Sequence, residues 1–337
     1  MSDITFKMTA ATNMGLVRTN NEDNFIVNPD LKQGEWIIPA DADAVIPLGE
    51  YGCLLVVADG MGGMNAGEVA SEIAVNGIRK AFSEAEDLSK IIASPYQIES
   101  FMKKAIVGAD SDIKKKVKED PSTSGMGTTI VMAWILGNIV HVAWCGDSRA
   151  YLFNRQSGLS RLSRDHSYVQ ELVDAGKLDA ELAFDHPNSN IITRSLGDSQ
   201  RAAQPDYVSQ GLSANDIILL CTDGLCGLIR DEEIVDILME ERESLNDYRD
   251  ALFEGALNAG GHDNITMALF ECVSVDTPEM GRTLSATVKP KNKKGKIWIV
   301  AAAVVLLAAL AYLAGSQGWL DQSIQAVQNL LQGKSVK

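Results

Sequence analysis

The feature that most constrains the fold of this chain is a recurrence. Apolar runs far apart in sequence stop at, or start from, an aspartate flanked by glycine, serine or asparagine. Residues 53–58 lead into Asp59, Gly60, Met61, Gly62 and Gly63; residues 139–146 lead into Asp147, Ser148 and Arg149; residues 217–222 lead into Asp223 and Gly224. A further run opens behind Gly261, His262, Asp263 and Asn264, and Asn20, Asn21, Glu22, Asp23 and Asn24 set an acidic pair before the run 23–28. Taken singly, an aspartate beside glycine is a turn. Repeated at this many strand ends, the pattern implies carboxylates that converge, and convergent carboxylates are stable only with compensating cations. Magnesium and manganese are the hard ions that such oxygen ligands suit.

Apolar alternation or continuity predicts strands at 4–9, 23–28, 53–58, 128–136, 139–145, 149–154, 216–222 and 264–273. Helical spacing appears at 66–85, 96–118, 168–175, 232–240 and 245–259. Strands and helices come in blocks, which favours antiparallel sheet with helices outside it over a doubly wound parallel sheet. The fold class read from this pattern is α+β.

Charge narrows the function. The formal net charge is -15, but from Thr283 onward seven lysines face one acid, Asp321, which makes the tail +6 and the preceding chain -21. Nucleic acid is a poor partner for so acidic a body, because phosphate-backbone binding needs a basic stripe. That disfavours a two-metal nuclease, which shares the carboxylate chemistry. The five cysteines, Cys53, Cys145, Cys221, Cys226 and Cys272, show no metal-ligand spacing and sit in or beside apolar runs, as buried free thiols do. Cys221 and Cys226 lack the basic loop that would activate a thiolate, so no covalent phosphocysteine route is expected. The N-terminus has no basic start followed by an apolar run, so no cleaved secretory signal is expected and the body is placed in the cytosol.

At the motif residues the chain resembles the bacterial metal-dependent serine/threonine phosphatases of the type 2C (PPM) family. The words that carry the resemblance run from Arg18 through Thr19, Asn20, Asn21, Glu22, Asp23, Asn24 and Phe25 to Val57, Ala58, Asp59, Gly60, Met61, Gly62 and Gly63, with Ala66, Gly67 and Glu68. Gly125, Met126, Gly127, Thr128 and Thr129 follow, then Gly146, Asp147, Ser148 and Arg149, then Asp165, His166 and Ser167. Thr193 to Gly197, Cys221 to Leu225 and His262 to Thr266 complete the order. The resemblance covers residues 4 to about 274.

The resemblance implies an αββα fold, two antiparallel sheets between helical layers, with a catalytic domain at 1–274 and a flap at about 166–192. It implies hydrolysis of phosphoserine and phosphothreonine in proteins by a hydroxide bridging two Mn2+ or Mg2+ ions. Asp59 would bridge the pair with the Gly60 carbonyl as a further ligand. Asp223 and Asp263 would complete one ion, and Glu22 and Asp23 the other. Asp147 would serve a third, weaker site, and Arg18 would clamp phosphate, since its planar fork matches two phosphate oxygens. Met61 departs from the eukaryotic pattern, which has histidine two residues after the bridging aspartate; a thioether cannot protonate the leaving oxygen. The non-enzymatic alternative is a membrane-anchored phosphoprotein-binding pseudophosphatase. The partners implied are phosphoproteins and an opposing membrane serine/threonine kinase.

The last segment reads as a membrane anchor. Residues 275–296 form a basic linker. Residues 297–314 are uncharged and apolar, long enough at about 1.5 Å per residue for a single helical span. Trp298 and Tyr312 flank it, and Lys289, Lys291, Lys293, Lys294 and Lys296 precede it, so the catalytic domain is expected on the cytosolic side. Residues 315–337, with Leu320, Ile324, Val327 and Leu331 at helical spacing, would form a short extracytoplasmic amphipathic tail.

Overall fold

The computed structural model describes residues 4–62 and 66–275 and the backbone of 287–288. The chain divides into a unit Met1–Pro290 and a second, Lys291–Lys337, and every residue described lies in the first. The predicted transmembrane segment 297–314 and the tail 315–337 lie outside the described residues, as does nearly all of the linker. Among the described residues, no helix is long and apolar enough to cross a membrane.

In chain order the elements are β1 (Thr5–Asn13), β2 (Asp23–Asn28), β3 (Ile46–Pro47), β4 (Cys53–Met61), α1 (Ala66–Ser83), α2 (Leu88–Ile91) and α3 (Pro95–Glu119). Next come β5 (Gly127–Thr128), β6 (Ile130–Leu136), β7 (Ile139–Cys145), β8 (Arg149–Asn154), β9 (Gly158–Arg161), α4 (Tyr168–Asp174) and β10 (Asp206–Gly211). The last are β11 (Ile217–Cys221), α5 (Asp223–Cys226), α6 (Asp231–Met239), α7 (Leu245–Asn258), β12 (Ile265–Ser274) and β13 (Thr287–Val288). Their pairings are antiparallel throughout. One sheet has the order β13-β9-β8-β11-β12-β1-β3 and the other β10-β7-β6-β4-β2, with β5 paired to β4.

Three cores explain the layering. Phe6, Met8, Leu55, Val57, Val131, Val142, Leu220 and Phe270 fill the space between the sheets. Leu54, Val56, Met132 and Trp134 pack outward against Ile78, Phe82, Met102 and Ile106 of α1 and α3. On the other side Tyr151, Phe153 and Leu219 meet Ile234, Leu238, Leu252 and Phe253 of α6 and α7. Strand β4 is apolar from Cys53 to Ala58 because both of its faces are covered there, a pattern periodicity alone reads as a continuous run. The predicted helices all form, and the two sheets between helical layers are as expected from the sequence.

The differences are local. The run predicted as one strand at 128–136 is two, because Gly127 and Thr128 pair with the end of β4 while β6 starts at Ile130. Strand β10 gave no signal: its residues Asp206–Gly211 are mostly polar and half-buried, since it is the edge strand beside β7. The backbone of Thr287–Val288, inside the predicted linker, pairs with β9.

Candidate metal centre

Antiparallel pairing gathers the acidic strand ends along one edge of the sandwich. The register of β2 on β4 sets Asp23 opposite Asp59. Side chains opposite each other in an antiparallel pair share a face, so two carboxylates meet where an apolar pair is the norm. From the facing sheet, β11 ends beside the start of β12, which brings Asp223 near Asp263. A hydroxyl joins the sheets here: Thr222 Oγ1 donates to Asp23 Oδ2 at 2.9 Å and accepts the Thr266 N–H at 3.0 Å.

Asp23 and Asp147 are buried, while Asp59, Asp223, Asp263 and Glu22 keep a partly open face. Burial, followed by repulsion from Asp223, Asp23 and Asp147, pushes the Asp59 carboxyl well above the usual range. Asp23 and Asp147 are likewise raised, burial first; hydroxyls of Thr266 and Thr222 pull Asp23 part of the way back. Asp223 is raised by burial and by Asp263, partly offset by Asp59 at close range. Glu22 is raised by burial against the pull of Arg18. Oδ1 of Asp147 and Oδ1 of Asp223 are buried with no hydrogen-bond donor against them among the described residues.

A cluster of acids that repel one another, two of them with orphaned buried oxygens, fits hard divalent cations by its all-oxygen donor set. Among the described residues, no three acid, cysteine or histidine side chains close around one point. Instead Asp59 and Asp223 raise or offset one another's titration at close range, and Asp263 is drawn to Arg18, whose Nη2 donates to its Oδ2 at 2.7 Å. Of the acids at this edge, Asp263 thus has a guanidinium beside it, while Asp147 and Asp223 keep a buried oxygen with no donor. Arg18, read from sequence as the phosphate clamp, is half-exposed and engaged with Asp263, a residue read as a ligand.

The glycines of the motifs admit these groups. A Cβ on Gly60 would lie 2.2 Å from the Gly67 carbonyl oxygen and 2.4 Å from that of Glu22. A Cβ on Gly67 would lie 2.7 Å from Glu22 Oε2. Ser71 Oγ holds the Glu22 carbonyl at 2.6 Å.

Sequence reasoning did not assign the residues that hold this edge in place. Asn264 accepts the Glu22 N–H at 2.8 Å and donates to the carbonyls of Met14 at 3.0 Å and Asn20 at 2.9 Å. Thr129 Oγ1 accepts the Asp59 N–H at 3.1 Å and bonds Ser148 Oγ at 2.6 Å. Arg149, two residues past Asp147, makes a forked pair with Asp165 (Nη2 to Oδ2 2.7 Å) that holds Asp165 below its usual range despite burial. The signal for Asn264 was present, since it stands in the same motif as Asp263; a neutral amide simply carries no metal-ligand cue. His141 is structural: burial lowers it to about 4, and its Nδ1 bonds Tyr207 Oη at 2.6 Å. All five cysteines are buried and unbridged.

Comparison with known proteins identifies the family. The protein phosphatase 2C family matches residues 10–265. The serine/threonine phosphatase Stp of Listeria welshimeri is 37% identical over 218 residues, 65% of this chain and 84% of that protein. The solved serine/threonine phosphatase of Streptococcus agalactiae superposes with a TM-score of 0.66 at 31% identity, covering 79% of this chain and 99% of the other. The catalytic domain of the phosphatase PstP, solved in complex with 2 manganese ions, superposes with a TM-score of 0.63 at 28% identity over 80% of this chain and 100% of its own. With the family match spanning most of its length, this chain belongs to the protein phosphatase 2C family.

Proposed function

We propose that this chain is a manganese- or magnesium-dependent protein serine/threonine phosphatase whose metals sit among Glu22, Asp23, Asp59, Asp223 and Asp263, with the Gly60 carbonyl, and whose Asp147 serves a third, weaker cation. The observation that carries the reading is the acidic edge itself: four aspartates raised by burial, with buried oxygens on Asp147 and Asp223 that no protein donor meets. Bound there, two divalent cations would supply Lewis acidity toward the phosphoryl oxygens and acidify water for in-line attack. The chain's own residues set the rest. Asp59 and Asp23 supply opposed negative charge from one sheet and Asp223 and Asp263 from the other. Arg18 reaches the same edge with a planar fork that suits phosphate as well as the carboxylate it now holds. Met61 stands at the end of β4, and its thioether can neither give nor take the proton of the leaving serine or threonine oxygen.

The lysines before residue 297 and the uncharged run after them support a membrane anchor with the catalytic domain in the cytosol. An opposing membrane serine/threonine kinase is the partner class this arrangement fits. The test of the catalytic reading is phosphate release from a phosphothreonine peptide with manganese, with and without chelator. Release that stops on chelation supports the reading. Binding of the phosphopeptide without release would instead favour the pseudophosphatase alternative.

A further inference from the structure

Residues 166–192 are held to the body by several groups, and three of the ties, at one end, just past the other end and at Arg230, lead to segments that carry an aspartate of the acidic edge. At the first foot the His166 N–H donates to the Gly146 carbonyl at 2.9 Å, and His166 Nδ1 accepts the Gly146 N–H at 3.1 Å, one residue before Asp147. Just past the second foot, Leu196 exchanges backbone hydrogen bonds with Thr128 at 2.9 and 3.1 Å, and Thr128 Oγ1 donates to the Asp59 carbonyl at 2.8 Å. Between the feet Arg161 Nη2 donates to Gln170 Oε1 at 2.7 Å, Arg164 pairs with Asp174, and Arg230 holds residues 184 and 185. The Arg230 guanidinium lies 4.2 Å from the centre of the Phe184 ring, and its Nη2 donates to Asp185 Oδ2 at 2.5 Å.

Arg230 follows α5, which opens with Asp223, and its own backbone is fixed. Its N–H donates to Glu233 Oε2 at 2.8 Å and its carbonyl accepts the Glu233 N–H at 2.9 Å, at the start of α6. The tie is thus anchored on the core side and stands in water on the other, where the Asp185 side chain is 68% exposed. The tied segment carries large apolar side chains in solvent, among them Leu182 at 60% and Ile191 at 46% exposed.

From these contacts we infer that Arg230 is a positioning residue for protein substrates. Its grip on Phe184 and Asp185 holds the 166–192 segment beside the acidic edge, so that Leu182 and Ile191 meet the polypeptide on either side of the phosphorylated side chain. A small aryl phosphate has no such polypeptide and does not draw on the grip. The inference rests on the phosphatase reading. A guanidinium on an aromatic face joined to an exposed ion pair shifts a two-state segment by about threefold to tenfold in population, and an unheld segment raises the apparent KM of what it binds by that factor.

The test is steady-state kinetics of the full chain on a phosphothreonine peptide and on para-nitrophenyl phosphate, for wild type, Arg230→Ala, Arg230→Lys and Asp185→Ala. The ratio of peptide to aryl-phosphate kcat/KM should fall about threefold to tenfold in Arg230→Ala, with the loss in peptide KM. Asp185→Ala should move it the same way by less, and Arg230→Lys, which keeps charge but not the planar stack, should recover part of it. An unchanged ratio in both alanine variants of an active enzyme, or an equal loss of kcat on both substrates, overturns the inference alone. Wild type that releases phosphate from neither substrate with manganese overturns the phosphatase reading, and this inference with it. Should Arg230→Ala fail to fold, Asp185→Ala decides, because its carboxylate lies in solvent.

Discussion

Through three hydrogen bonds, Asn264 ties the loop that bears Arg18 and Glu22 to the start of β12. Alanine there would strand the Glu22 N–H and two carbonyls, at about 1–3 kcal/mol, and let Glu22 drift. Supporting residues of this kind typically change metal affinity by about 10–100-fold. Asn264→Ala should therefore shift the manganese dependence of activity to concentrations higher by about that factor; an unmoved midpoint would show that Glu22 is positioned otherwise. The aspartates make a second prediction, about pH. Asp23, Asp59, Asp147 and Asp223 are each raised in the folded protein, burial being the largest cause. An acid raised on folding binds its proton more tightly folded than unfolded. Its stabilising contribution is complete below the unfolded value of about 3.9 and is lost as pH rises through the folded value. In chelator, Tm should thus be higher at pH 5 than at pH 8, and saturating magnesium should recover most of the loss at pH 8, because the cation replaces the proton. A Tm in chelator that climbs from pH 5 to pH 8 would contradict the burial of these groups.

At the level of elements, the site depends on how closely two strand ends and a short helix approach. A Cβ on Gly224, in α5, would lie 1.9 Å from the Asn264 carbonyl oxygen, whereas one on Gly108, in the middle of α3, would meet nothing within 4 Å. The same substitution should therefore have opposite signs. Gly224→Ala should cost about 1–3 kcal/mol or more and lower Tm by several degrees, while Gly108→Ala should gain about 0.5–1 kcal/mol through helix propensity. Thermal denaturation of the two variants checks both. Much of this level was legible in the sequence. The long helices declared themselves by spacing and the inner strands by apolar runs, and the acidic ends marked the edge where the carboxylates gather. What was not legible is register and local pairing. That Asp23 faces Asp59 follows from how β2 aligns on β4. That Thr128 and Thr129 leave the strand to bracket Asp59 follows from the end of β4 needing a partner beyond β6. Strand β10 stayed silent because an edge strand needs little apolar surface, and the Arg18–Asp263 pair because a guanidinium's partner depends on which charge lies nearest in space.

The whole molecule joins an acidic body of -21 to a tail of +6. If residues 297–314 span a membrane, the lysines lie at the anionic surface while repulsion keeps the body off it, free to reach protein substrates. The full chain should then pellet with membranes, and a chain ending at Pro290, where the first unit stops, should remain in the supernatant with its activity. Full-length protein in the supernatant would remove the anchor from the account and leave the phosphatase intact. The phosphatase stands or falls with the acidic edge, and calorimetric titration of manganese into metal-free wild type and Asp59→Asn addresses it most directly. Two saturable tight sites in the wild type, lost together in a still-folded Asp59→Asn, are the predicted result, because one carboxylate between two cations cannot be neutralised without losing both. No saturable binding in the wild type, or equal binding in the variant, would contradict the assignment of this edge as the metal centre.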